Sequence, residues 1–257
     1  MAKWKLFFTT LPYVGIILAL KILLARVFGF EGFLELGEVS LVLTGGIFLI
    51  GFMLAGTMAD YKESEKIPGD LAAALETAED TIMQVSINAK DPSKIDTKAV
   101  LKELFNLGES IIDWFYKKKS DEEMYASLTS IVNTISELEK LGANGGGCGK
   151  IIGDFNNIRK IINRVGVISR TGFLATGYAL LEGLIAAIII ILLIVKFKSI
   201  IAEAIIVSFI GLIYIYMYRL IKDIDDPFEY DEEETGVTEI PLFPITEYLD
   251  RLKKKIS

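Results

Sequence analysis

Residues 39–59 read VSLVLTGGIFLIGFMLAGTMA, twenty-one positions without a formal charge, and run directly into Asp60-Tyr61-Lys62-Glu63-Ser64-Glu65-Lys66. At 1.5 Å rise per residue an uncharged helix of that length covers about 30 Å, the thickness of a bilayer's hydrocarbon core. The charged continuation suits the same helix emerging into water. Within it, Thr44, Phe48 and Phe52 recur at i, i+4 and i+8 and so share one stripe, while Gly45, Gly46, Gly51 and Gly56 permit close approach of neighbouring helices. Bulky rings beside small residues are also what plain helix packing produces. The C-terminal end of the chain bears on that choice.

The 257 residues are 52% hydrophobic and 24% charged, so apolar blocks must alternate with hydrophilic ones. Four apolar blocks stand at 6–30, 39–59, 171–195 and 199–220, with a charged stretch of about 110 residues between the second and third. The pattern predicts an all-α membrane protein: four transmembrane helices, a cytoplasmic helical insert over 60–170 and a cytoplasmic tail over 221–257. The first block has Lys3 and Lys5 ahead of an apolar core, as a signal peptide does. Lys21 and Arg26 then stand where a cleavage site needs small residues, so the block reads as a retained span.

Two pairs of closely spaced spans place both termini and the insert on one side. Lys3, Lys5, Arg159, Lys160, Arg164, Arg170, Arg219 and Lys222 make that side the cytoplasmic one by the positive-inside rule, against Arg26, Lys196 and Lys198 outside. The expected location is the cell membrane, multi-pass, with the lipid bilayer as partner and no nucleic acid. One cysteine, Cys148, leaves no intramolecular disulfide, and the absence of histidine removes zinc chemistry and a Ser-His-Asp triad. Asp60 and Glu63 share a helix face but lack a matching second pair, and no nucleophile, base and orienting group cluster; an enzyme is not expected.

The insert carries helical seams: Leu71, Leu75, Ala78, Ile82 and Val85; then Leu101, Leu104, Phe105, Ile111, Ile112 and Phe115; then Leu128, Ile131, Ile135 and Leu138; then Ile151, Phe155, Ile158, Ile162 and Val165. These predict helices packed as a bundle. Pro68-Gly69 marks a break and Asp91-Pro92-Ser93 a turn. The run GANGGGCGK at 142–150 invites a phosphate-loop reading, but Asn144 stands where the first glycine belongs and Ile151 where Ser or Thr belongs, so it reads as a flexible link between antiparallel helices. Glu182 falls inside the third block and is either an intramembrane carboxylate or one facing water or a neighbouring subunit. Lys21 and Glu203 lie near span ends, where a long side chain reaches water.

After the fourth span the chain reads Asp225-Asp226-Pro227-Phe228-Glu229-Tyr230-Asp231-Glu232-Glu233-Glu234, then Glu239-Ile240-Pro241-Leu242-Phe243-Pro244-Ile245 and a terminal amphipathic segment. This resembles the post-membrane signature of the bestrophins: an acid or amide, Pro and Phe, then an acidic patch, and in bacterial members an acid-Leu-Pro-Leu motif. The second-span exit is similar too, with Glu63, Lys66, Gly69 and Leu71 of the residue types that bacterial bestrophin-like sequences have there.

The resemblance implies a ring-shaped homo-oligomer, a homopentamer, whose second helices line an axial pore for small monovalent ions. It puts the hydrophobic neck at Thr44, Phe48 and Phe52, one turn apart; Thr44 departs from the family's aliphatic residue and makes that level wetter. Where the family has an arginine followed by aromatics below the neck, this chain has Asp60 at the inner pore mouth, which with the net charge of −7 points toward cations. The resemblance implies chloride, but the family holds both anion-selective and cation-selective members, so both signs stay open. Asp231, Glu232, Glu233 and Glu234, with Asp226 and Asp223 nearby, stand where animal bestrophins bind Ca²⁺, a hard cation that prefers such oxygens. Bacterial relatives are not known for that site, and a solvated acidic loop is the alternative. The competing functional reading is a membrane-anchored structural or adaptor protein that binds a partner through its helical bundle.

Overall fold

The computed structural model describes residues 4–170, 175–230 and 238–257. Its contacts divide the chain into two compact units, Met1–Tyr61 with Thr171–Pro227, and Lys62–Arg170 with Phe228–Ser257.

Among the described residues, the first unit holds four helices long and apolar enough to cross a membrane: α1 (Lys5–Arg26), α2 (Leu36–Ser64), α7 (Ala175–Ile194) and α8 (Ile200–Asp225). The limits move a few residues from those expected. The first span ends at Arg26 rather than at 30, and the fourth continues to Asp225, because a helix ends where its hydrogen-bonding run ends and not where its hydropathy does. Among the described residues the regular structure is helical apart from a parallel pair of two-residue strands, β1 (Leu34–Glu35) and β2 (Val195–Lys196), with Leu34 opposite Val195 and Glu35 opposite Lys196.

α2 turns Val39, Leu43 and Ile50 inward onto Leu181, Ile188 and Leu192 of α7 and Tyr214 and Ile221 of α8. The Tyr214 hydroxyl donates to the Leu43 carbonyl at 2.5 Å. Gly46 lets it do so, because a Cβ there would overlap the tyrosine hydroxyl. α1 packs Val14 and Ile17 on Val207 and Ile215 of α8. One turn nearer the N-terminus, Arg219 donates to Thr10 Oγ1 at 3.1 Å and lies over the Tyr13 ring. Many large apolar side chains of these helices point outward, which suits a hydrocarbon solvent with no water to avoid.

The second unit contains α3 (Ile67–Ile87), α4 (Thr97–Phe115), α5 (Asp121–Lys140), α6 (Gly145–Arg170) and α9 (Phe243–Ile256). The expected seams are buried on α3 (Leu71, Leu75, Ala78, Ile82), α5 (Leu128, Ile131, Ile135) and α6 (Ile151, Phe155, Ile158, Ile162). On α4, Leu101, Leu104, Ile111 and Phe115 are buried, while Phe105 and Ile112 stand at the edge of the seam, half-buried. The break before α3 lies at residues 65–66, with Pro68 in the first turn of the new helix, where its missing N–H costs no hydrogen bond. α9 docks through Ile245, Tyr248, Leu249 and Leu252, and Gly108 of α4 accepts Leu249 where a Cβ would collide with it. Lys255 of α9 reaches the buried Glu79 carboxylate at 2.5 Å, which holds the lysine above its ordinary range.

The glycine run at 142–150 is not the flexible link expected. The helix starts at Gly145, the Asn144 side chain accepts from the Gly146 amide at 2.8 Å, and a Cβ on Gly147 would meet Val85 Cγ2 at 2.5 Å. Glycine here serves close approach of α3 and α6, so the link shrinks to residues 141–144.

α5 begins with a complete capping box: Ser120 Oγ accepts from the Glu123 amide at 3.2 Å, and the Ser120 amide donates to Glu123 Oε2 at 2.8 Å. That amide holds the Glu123 carboxyl below its ordinary range, so the cap's contribution is present above the unfolded value and is lost as pH falls through the lowered one. Ser120→Ala should cost about 1 kcal/mol in a denaturant melt at neutral pH. A midpoint unchanged from the native chain would mean that the cap does not hold α5.

Candidate functional site

The inward positions of α2 (39, 43, 46, 50) leave the opposite side of the helix to Leu41, Phe48, Phe52 and Ala55, all exposed. Phe48 is 69% and Phe52 65% exposed, large for benzyl groups in the middle of an apolar helix, so neither is a core residue of this unit. Their rings meet edge to face with centroids 4.9 Å apart, the arrangement that aromatic quadrupoles prefer. Thr44 is exposed as well, one turn from Phe48, with its hydroxyl turned back to the Ser40 carbonyl at 2.8 Å. That internal bond occupies the threonine proton and leaves its methyl and oxygen lone pairs on the surface.

Beside the phenylalanines lies an open apolar groove of about 440 Å³, lined by Ile47, Phe48, Gly51, Phe52 and Ala55 of α2 and Met217 of α8. A second groove of about 360 Å³ runs from Leu36, Ser40 and Thr44 to Ile205, Phe209 and Ile210. The structure thus brings Thr44, Phe48 and Phe52 to one exposed stripe with apolar flanks. Asp60 is also exposed, but eight residues past Phe52 it stands about 80° around the helix from that ring, and Ala59 continues the stripe instead.

Asp226 is half-buried at the C-cap of α8, and Asp223 is exposed one turn earlier. Asp231, Glu232, Glu233 and Glu234 lie outside the described residues. Among the described residues no group of three or more carboxylate, cysteine or histidine side chains is close enough to hold a metal ion.

Glu182 is exposed on α7, and the Tyr218 hydroxyl of α8 donates to its Oε1 at 3.0 Å. One turn away the Tyr178 hydroxyl donates to Asp225 Oδ2 at 2.9 Å. The seam between α7 and α8 therefore carries two carboxylates, each held by a tyrosine on the facing helix.

Lys21 and Glu203 differ most from expectation. Lys21 does not reach water: it is 1% exposed, and its Nζ donates to the Leu193 carbonyl at 2.8 Å and the Val195 carbonyl at 2.6 Å, with Glu203 Oε1 at 3.7 Å. A charge at a helix end usually snorkels, and that local rule hid a site whose partners are more than 170 residues away.

No protein-family model matches the sequence, and no curated protein sequence matches it significantly. Solved structures do match. A variant of a bacterial bestrophin homolog from Klebsiella pneumoniae superposes with a TM-score of 0.75 at 14% identity, over 98% of this chain and 100% of the other. The fold is that of the bestrophins. A second structure of a Klebsiella pneumoniae bestrophin homolog gives 0.72 at 13% identity over 97% and 98% of the two chains. A crystal structure described as a membrane protein gives 0.73 at 13%, over 98% of each.

Proposed function

We propose that several copies of this chain, five by resemblance to the bestrophins, assemble around an axis lined by their α2 helices and form a channel for small monovalent ions. The observation that carries the reading is the exposed Phe48–Phe52 pair in the middle of a membrane-length helix, in a chain with a bestrophin-like fold. Turned toward a common axis, these rings form an apolar neck narrow enough to shed water, with Thr44 as a wetter level one turn away. Their edges carry the positive part of the quadrupole and suit an anion. Asp60 sits to one side of the stripe, so five aspartates bias the inner mouth toward cations without pointing down the axis. The chain lies in the cell membrane with both termini cytoplasmic.

Purified protein in liposomes should carry ion flux, and reversal potentials in asymmetric KCl separate the two signs: a shift toward the chloride equilibrium potential assigns anions, a shift toward potassium assigns cations. A monomer in the membrane, or vesicles as tight as protein-free ones, overturns the reading.

A further inference from the structure

The exit of α7 is gripped from two sides. Leu193, Ile194 and Val195 offer consecutive carbonyls at a helix C-terminus, where intrahelical partners run out and the negative end of the helix dipole lies. Lys21 of α1 takes the first and third of them, at 2.8 and 2.6 Å. The Phe33 amide takes the middle one at 3.0 Å. The strand pair β1–β2 continues that second grip, and Gly32, at φ +87°, makes it sterically feasible, because a Cβ there would collide with the Ile194 carbonyl. Glu203 at the start of α8 and the Phe197 ring, 5.7 Å from Nζ, complete the surroundings of the ammonium group.

A buried ammonium group is tolerated only when its protons are taken. Here the partners fix Lys21 between α1, the end of α7 and the start of α8. What the lysine holds still is β2, and what β2 holds is β1, whose last residue, Glu35, directly precedes the first residue of α2. α2 is one continuous helix, so a shift at Leu36 reaches Phe48, about 18 Å along the axis, undiminished.

We propose that Lys21 is a positioning residue: by clamping the α7 exit it sets the axial height from which α2 starts, and hence the level of the Phe48 and Phe52 rings. The inference rests on the channel reading for its consequence but not for its geometry. Lys21→Met removes the donors at similar length, Lys21→Arg retains charge and donors, and Gly32→Ala opens the same clip from the opposite side.

Hydrogen exchange on the full chain in liposomes reads the clip itself. Lys21→Met and Gly32→Ala should each speed exchange at residues 33–37 and 194–197 at least tenfold, leave 97–140 unchanged and alter basal ion flux, with Lys21→Arg restoring both readouts. The double variant should be no worse than either single one, since both break one device. Native-like exchange in Lys21→Met and Gly32→Ala overturns the proposal. So does faster exchange with native flux in vesicles where Phe48→Ala changes it. If the native chain carries no flux at all, the channel reading fails separately, and the proposal falls with it because no neck remains to be positioned.

Discussion

Protein carrying Phe48→Ala and Phe52→Ala together should leak ions at least about tenfold faster than the native chain when reconstituted, the effect of lowering the permeation barrier by ~1.4 kcal/mol. The direction follows from water. An apolar ring of benzyl groups resists wetting, and an unwetted neck denies a passing ion its hydration shell; methyl groups in their place widen the passage and let water through. Each single variant should fall between native and double. Both side chains are exposed in the isolated chain, so removing them leaves no cavity in its core, and stability should move by only about 0.5 kcal/mol. A rise in leak with an unchanged melting profile is therefore the signature of a neck. Unchanged flux in both singles and the double would take these residues out of it.

The second large effect is on stability. Phe155→Ala on α6 removes a side chain that is 1% exposed in the core of the second unit, and should destabilise that unit by about 3–5 kcal/mol through lost burial and the cavity left behind. Trp114 reports on the same unit, because its indole donates to Asp121 Oδ1 at 2.7 Å across the junction of α4 and α5. A denaturant titration followed by that fluorophore, in a Trp4→Phe background, gives the measurement. Lys140→Ala is the control: its pairing with Glu137 at 2.7 Å is solvent-exposed and should be worth less than about 1 kcal/mol. A loss below 1 kcal/mol for Phe155→Ala would mean that α6 is not packed as described.

The channel reading also explains what otherwise looks like a fault. A soluble protein would not leave Phe48, Phe52, Leu41, Ile205 and Phe209 exposed on adjoining helices. Facing lipid or further copies of the chain, those surfaces are ordinary. Glu182 is the exception, since a carboxylate in such a helix is costly against lipid. The Tyr218 hydroxyl lowers that cost by donating to it from the facing helix.

Periodicity made the second unit legible. Buried positions on α3, α5 and α6 recur at the spacing of a helix face, and the seams read from sequence are the ones the structure buries, because a helix that packs along its length must repeat its apolar residues every three or four positions. The four spans were legible for a similar reason: hydrocarbon thickness fixes the length of an uncharged run. Thr44, Phe48 and Phe52 were recognisable as a stripe from i, i+4 spacing, and the stripe proves to be exposed.

The glycine run and Lys21 were not legible, and the reason is common to both. Gly147 is glycine because Val85 of another helix occupies the space of a Cβ, and Lys21 is buried because the end of α7 supplies its acceptors. Neither cause lies within reach of a local pattern. The chain's own order of residues dictated how many helices form, which faces are apolar and which are long enough for a bilayer, since those depend on spacing along one segment. Tertiary contact decided which glycines mean proximity, which charge is held inside and where α2 starts, since each of these depends on atoms brought together from distant parts of the chain.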